Sequence, residues 1–226
     1  MNNILFCGYR DWSKKIYKKL DFDYKSFVNL IYIDNKEDLN KSIEKYSPVS
    51  IFFVGWSWII EDNIIDNFDC VCLHPSPLPK YRGGSPIQHQ IINGEEYGAI
   101  TLFKMDKGID TGNILYQRNI SLDGDLKDIF DRIVSEGSRG FGQLIDVVVR
   151  MGQRLEGIEQ DESKATFYWR RKPKMSEINV SDFGSYTAKE LHNKIRSLQN
   201  PYPNAYIKCK DGTKLYLLKS EVDNER

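Results

Sequence analysis

At 226 residues the chain is long enough to bury one substantial core, and a single domain with a short appendage suits that length better than two equal halves. Its 32 basic and 32 acidic residues cancel, and no stretch gathers Lys and Arg into the stripe that neutralises a polyphosphate backbone, which disfavours a dedicated nucleic-acid binder. No apolar run nears the roughly 20 residues that span a bilayer, and Met1-Asn2-Asn3 runs straight into Ile4-Leu5-Phe6-Cys7 without a signal-type leader, so a soluble, cytoplasmic protein with no membrane partner is expected.

Residues 3–7, 27–33, 49–54 and 70–73 are short apolar runs, with segments of helical length at 13–20 and 36–45. This alternation predicts an α/β fold, a Rossmann-like, mostly parallel sheet with flanking helices. In such folds the crossover loops gather at the carboxyl edge, so the loops after Cys7, Val54 and Leu73 are expected to converge. Residues 98–104 and 113–119 read as two further strands, and the Gly- and Asp-rich loop Met105-Asp106-Lys107-Gly108-Ile109-Asp110-Thr111-Gly112 could join the same site. From 126 to 155, Phe130, Ile133, Val134, Phe141, Leu144, Ile145 and Val148 recur at three- and four-residue steps, predicting one long amphipathic helix with a structural role.

Beyond that helix, 166–169 begins an appendage, and 187–198 reads as a helix capped by Thr187 with Glu190 three residues on. Asp211-Gly212 divides two strand-like runs and predicts a terminal hairpin, while the polar tail after Lys219 reads as frayed. The expected organisation is a catalytic domain over residues 1–160 and a C-terminal extension over 161–226, with a helix and β-hairpin that could pair two copies as a homodimer.

Cys7, Cys70, Cys72 and Cys209 form no CxxC pair, so neither a zinc site nor a disulfide framework is expected, and no metal is called for. A dinucleotide-binding reading finds only one glycine in Cys7-Gly8-Tyr9-Arg10, where a G-x-G-x-x-G turn is needed. The most informative segment is His74-Pro75-Ser76-Pro77-Leu78-Pro79-Lys80-Tyr81-Arg82-Gly83-Gly84-Ser85-Pro86-Ile87-Gln88, which leaves a buried strand and precedes a helix. Proline locks φ and lacks a donor, so this segment is expected to stay out of any sheet and to present a preset track with His74 at its start. Alone, His74 also fits a strand-end histidine satisfied by a carbonyl. Asp110 lies 36 residues later (110 − 74) on a loop leaving the same edge, where its carboxylate could reach one imidazole nitrogen and fix the tautomer. Alone, it also fits a turn residue before Thr111-Gly112.

His74 to Gln88, together with Met105 to Gly112, resembles the folate-dependent formyltransferase family. Tyr168-Trp169-Arg170-Arg171-Lys172-Pro173, Ile195-Arg196-Ser197-Leu198 and Pro201-Tyr202-Pro203 resemble segments of its methionyl-tRNA and sugar branches, while roughly the first fifty residues diverge. The resemblance implies an Asn-x-His motif ending the central strand and a later Asp. His74 and Asp110 occupy the latter two positions, and Cys72 stands where the family usually places Asn. A thiol is a weaker and shorter donor than an amide. Either a neighbouring donor serves the oxyanion, a backbone N–H or the Gln88 amide, or turnover is slower, or the chain is an inactive folate or nucleotide-sugar binding module. A formyl thioester on Cys72 is conceivable, yet i and i+2 on a strand only share a face.

The implied reaction is direct attack of an amine on the formyl carbon of 10-formyltetrahydrofolate, with His74 moving a proton and steadying the oxyanion and Asp110 orienting His74. The formyl donor is expected against Gly55, Trp56, Ser57, Trp58, Leu78, Asp106 and Gly108, although the two tryptophans could equally pack against helices. The acceptor is expected against Lys80, Tyr81, Arg82, Gly83, Gly84, Gln88, Trp169, Arg170, Arg171 and Tyr202, the cations meeting a diphosphate and Trp169 or Tyr202 stacking on a pyrimidine. The methionyl-tRNA branch carries an extra C-terminal domain, whereas about fifty residues follow Pro173 here. The implied acceptor is therefore a nucleotide-linked aminosugar, typically a dTDP-linked 3- or 4-amino dideoxysugar of bacterial surface polysaccharides such as lipopolysaccharide O-antigen. Methionyl-tRNA and glycinamide ribonucleotide are the competing amines.

Overall fold

A computed structural model describes residues 1–223. The apolar runs and the segments between them form, in order, β1 (Asn2–Cys7), α1 (Asp11–Tyr24), β2 (Val28–Ile33), α2 (Glu37–Tyr46), β3 (Ser50–Val54), α3 (Asp62–Asn67) and β4 (Cys70–His74). There follow β5 (Arg82–Gly83), α4 (Pro86–Ile92), β6 (Tyr97–Lys104), β7 (Ile114–Ser121), α5 (Leu126–Ile145), β8 (Phe167–Tyr168), α6 (Ala188–Ser197), β9 (Ala205–Lys208) and β10 (Lys214–Leu217). The main sheet has the order β2-β1-β3-β4-β6-β7. Its first four strands are parallel, and β6 and β7 are antiparallel to their neighbours.

Both faces of the parallel half are covered, which is why β3 is apolar from Ile51 to Val54 and buried throughout. Alternation divides its side chains. Ile4, Phe6, Phe52, Val71 and Leu73 pack with Ile16 and Leu20 of α1 and Ile129, Ile133 and Phe141 of α5. Leu5, Cys7, Ile51, Phe53 and Cys70 pack with Leu39 of α2 and Ile64 of α3 on the other face. Each fully buried aliphatic or aromatic side chain contributes about 1.5–3 kcal/mol.

The chain leaves β1 in opposite directions along the sheet, first to β2 and then back to β3, so a crevice opens at the carboxyl ends of β1, β3 and β4. Gly8 is required there, because a Cβ would come within 2.4 Å of the Val54 carbonyl oxygen.

Two sequence expectations need correction. The helix expected over 126–155 ends at Ile145 and passes into a wider turn over Asp146–Arg150, where Met151 N–H donates to Asp146 O. Three successive β-branched residues, Val147 to Val149, oppose continuation. The proline-rich segment, expected to stay unpaired, contributes β5, which pairs in parallel with β8. None of its prolines falls at 82–84, so the Arg82 and Gly84 N–H groups donate to Thr166 O (2.9 Å) and Tyr168 O (2.8 Å).

α6 carries the Thr187–Glu190 capping box, and β9 and β10 form an antiparallel hairpin with Gly212 at φ +84°. A small core of Ile178, Ile195, Leu198 and Ala205 joins them. Of the tail expected to fray, residues 224–226 lie outside the described residues, and Ser220 Oγ sits 2.9 Å from His192 Nδ1. Among the described residues no helix is long and apolar enough to cross a membrane.

Candidate active site

β4 delivers Cys72 and His74 to one face at the carboxyl edge. His74 is buried, and its Nε2 lies 2.8 Å from the Tyr81 carbonyl oxygen. A carbonyl only accepts, so Nε2 carries a hydrogen and donates it. That orientation turns Nδ1 toward Asp110, 3.4 Å from Oδ2. Nδ1 is thus the nitrogen that can gain or lose a proton.

Asp110 is fixed by two hydrogen bonds. Its Oδ2 accepts from Gly83 N–H at 2.8 Å, and its carbonyl accepts from Gln160 Nε2 at 2.9 Å. Asp106 Oδ1 stiffens the same loop by accepting from Gly108 N–H and from the Thr111 hydroxyl. Of the four non-glycine residues with positive φ among those described, Tyr81, Ser85 and Asp110 belong to this site. Such backbone is retained where surrounding contacts over-determine it, and that concentration marks a functional region.

Gln160, which no sequence pattern singled out, is the node of these contacts. Its Nε2 donates to Asp110 O and Gly112 O, and its Oε1 accepts from Arg82 Nε and Nη2. Arg82 is 6 % exposed and also pairs with Glu162, which raises the guanidinium pKa further and lowers that of the Glu162 carboxyl. With four donated hydrogen bonds inside the protein, Arg82 is a strut between loops and not the diphosphate ligand expected from sequence.

The crevice encloses a cleft of about 320 Å³. Gly55, Trp56 and Ser57 line it from the end of β3; Cys72, His74 and Asp110 line its centre; Gly83, Gly84, Gln88, Arg170, Arg171 and Tyr202 close it. Arg10 and Trp12, from the loop after β1 and the start of α1, also line it; only their position at the carboxyl edge could have signalled them. Trp12, Phe130 and Tyr202 stack in series, with centroids 6.0 and 6.2 Å apart, and anchor Tyr202. Ser57 Oγ accepts from Tyr9 and from Arg170, joining the β1, β3 and C-terminal segments at the rim.

Other expected residues lie elsewhere. Leu78 is core, and its carbonyl accepts from Gln117 Nε2. Tyr81 contributes its carbonyl and not its ring, which stacks on Tyr168 at 5.0 Å while its hydroxyl donates to Glu95. Lys80, Asp106 and Gly108 are exposed outside the cleft. Trp58 braces Trp56 edge-on from outside, and Trp169 stands 80 % exposed beside Phe167. A larger hollow of about 890 Å³, lined by residues such as Glu95, Asp123, Lys189 and Arg196, contains none of the residues that meet at His74.

Burial, and then the charge of Asp110, push the Cys72 thiol well above its ordinary value. Its Sγ lies 3.7 Å from Leu73 O. It is neither a thiolate nucleophile nor a strong donor. Three buried donors on the cleft wall have no partner: Trp56 Nε1, Gln88 Nε2 and Arg171 Nε. A wall with uncommitted N–H groups suits an acceptor-rich ligand. Among the described residues no three His, Cys, Asp or Glu side chains gather as a metal site.

The family model described as Formyl transferase matches residues 22–145, and that described as Formyl transferase, C-terminal domain, matches 174–226. The methionyl-tRNA formyltransferase of Syntrophomonas wolfei subsp. wolfei is 34% identical over 190 residues, covering 82% of this chain and 58% of that relative. The chain therefore spans less than two thirds of that relative's length. Among solved structures, methionyl-tRNA formyltransferase from Clostridium thermocellum matches with a TM-score of 0.87 at 31% identity, covering 100% of this chain and 96% of the other. A 4-N formyltransferase from Francisella tularensis matches with a TM-score of 0.80 at 20% identity, covering 99% of each chain, a likeness of fold.

Proposed function

The chain belongs to the formyl transferase family, and from that premise we propose that it moves a formyl group from 10-formyltetrahydrofolate to the amine of a nucleotide-linked sugar. The observation that carries this reading is His74 and Asp110 held at 3.4 Å in a cleft whose wall offers buried, uncommitted donors. The cleft, about 320 Å³, falls in the range of small-molecule sites, and its donors fit the carbonyl oxygens of a folate and its formyl group.

The folate supplies an activated formyl carbon. His74 Nδ1 takes the proton that the attacking amine sheds and returns one to the nitrogen that leaves. Asp110 holds the ring and balances its positive form, and burial of the imidazole keeps bulk water away from that charge. The protonated Cys72 thiol leaves direct transfer as the route. Residues 1–160 carry the reacting groups, and 161–226 adds Arg170, Arg171 and Tyr202.

The balance of 32 basic and 32 acidic residues and the place of Arg170 and Arg171 on the cleft wall support a nucleotide-sugar acceptor, the cations for a diphosphate. A second reading, methionyl-tRNA as acceptor, is favoured by the names of relatives at 34% and 31% identity. The test is mass spectrometry of 10-formyltetrahydrofolate incubated with dTDP- and UDP-aminosugars, methionyl-tRNA and glycinamide ribonucleotide. A formylated aminosugar is the expected product. Formylation of methionyl-tRNA alone replaces the first reading with the second, and no formylated amine rejects both.

A further inference from the structure

If the family's usual Asn position is held by Cys72, the reacting carbonyl lacks the side-chain amide expected on β4. Five buried side-chain N or O atoms lack a hydrogen-bond partner among the described residues, and the three at the cleft are all N–H donors. Only one of these belongs to a neutral primary amide. Gln88 is 2 % exposed, and its Nε2 meets no acceptor at hydrogen-bond geometry. Its neighbour Tyr202 comes near enough for the amide to oppose, in part, the burial that raises that phenol's pKa.

The position of Gln88 relative to His74 is fixed. Two residues on along α4, Gln90 Nε2 donates to Pro75 O at 2.9 Å and to Pro86 O at 3.0 Å, strapping the helix to the residue that follows His74. A rigid helix thus carries the amide into the same cleft that His74, Asp110 and Cys72 line. An amide buried without an acceptor is destabilising, whereas an apolar side chain of the same shape is not. Apart from the neighbouring Tyr202 hydroxyl, which the amide does not meet at hydrogen-bond geometry, packing gives no reason for a glutamine here.

We propose that the Gln88 side-chain amide donates to the oxygen of the transferring formyl group, supplying at the head of α4 the donor that Cys72 withholds on β4. This rests on the formyl-transfer reading. A fixed donor aimed at an oxygen that gains charge stabilises that charge without reorganising. Trp56 and Arg171 are less suited. The indole is wedged between Phe53 and Trp58, and the guanidinium already donates to Met175 O.

Two variants and one spectrum test this. Gln88→Met, of similar volume and without a donor, is expected to lower kcat by about 10²–10³-fold with KM within a few-fold, and to leave Tm unchanged or higher. Adding Cys72→Asn to Gln88→Met is expected to restore at least tenfold in kcat, a coupling that a merely structural glutamine does not show. In the infrared difference spectrum of bound 10-formyl-5,8-dideazafolate, the formyl carbonyl band of the wild type is expected at lower frequency than in Gln88→Met. Folate analogue that binds with the same band in both proteins, or a Gln88→Met variant that keeps kcat, overturns the assignment alone. Failure of the wild type to bind the analogue overturns the formyl-transfer reading beneath it as well.

Discussion

Two sets of residues around the cleft use the same kinds of polar group in opposite ways. In the segment that follows β4, nearly every polar group is spent within the protein: Ser76 Oγ donates to Lys80 O, Thr101 to Ser76 O, Gln117 to Leu78 O, and Arg82 to Gln160 and Glu162. Elsewhere around the cleft, Trp56, Gln88 and Arg171 keep buried donors with no hydrogen-bond partner. Arg82 and Arg171 make the contrast plainest, one buried and satisfied, the other with a buried Nε left over. The committed set is framework that aims His74 and Asp110, and the uncommitted set is where a ligand completes the hydrogen bonding.

The largest effect expected from breaking this division is at the aimed pair itself. His74→Ala or Asp110→Asn should each lower kcat by about 10²–10⁴-fold, measured as formylated product per enzyme, with the fold retained because asparagine tolerates the left-handed backbone at 110. Next comes the framework. Gln160→Ala leaves two carbonyls of the Asp110 loop and the Arg82 guanidinium short of a partner, and should cost about 1–3 kcal/mol in urea unfolding. Rate should fall with it at saturating substrates, because Asp110 loses its tether.

The two kinds of arginine sharpen the comparison further. Arg82→Ala should lower stability by about 2–3 kcal/mol through its charged hydrogen bonds, with little change in acceptor KM. Arg170→Ala should do the reverse, raising acceptor KM with Tm nearly unchanged, and equal effects in both assays from both variants would erase the distinction. The smallest effect concerns the thiols. Burial raises Cys7 and Cys72 and pushes Cys70 up to about 12, so at pH 8 none of the three holds much thiolate. Of four cysteines, only the exposed Cys209 should react with Ellman's reagent in the native protein, and all four after unfolding.

Much of the frame was legible because its signals are local. Alternating apolar runs gave β1 to β4, the Thr187–Glu190 pair marked the start of α6, and Asp211-Gly212 marked the hairpin. The meeting of the β1, β3 and β4 loops follows from parallel topology. Asp110 does not leave the same edge as expected: its loop joins antiparallel β6 and β7, departs from Lys104 opposite the start of β4, and still brings the carboxylate to His74. What the sequence hid depends on partners far along the chain. Arg82 reads as a free cation until Gln160 and Glu162, 78 and 80 residues away, consume its donors. Tyr81 reads as a ring for a ligand, yet its carbonyl matters, and a side-chain letter says nothing of a carbonyl's direction. Gln160 works through two backbone carbonyls and leaves no motif. The end of α5 was missed because apolar spacing continues after β-branched crowding has opened the helix.

The central claim is that the His74–Asp110 pair drives formyl transfer from a folate to an amine. Its most direct test is a single-turnover experiment that follows tetrahydrofolate release and formyl-amine formation together, in the wild type and in His74→Ala. Both products should form in step in the wild type, and both should be lost in the variant while folate still binds. Equal rates in the two proteins, or folate bound by the wild type without any formylated amine, would contradict it.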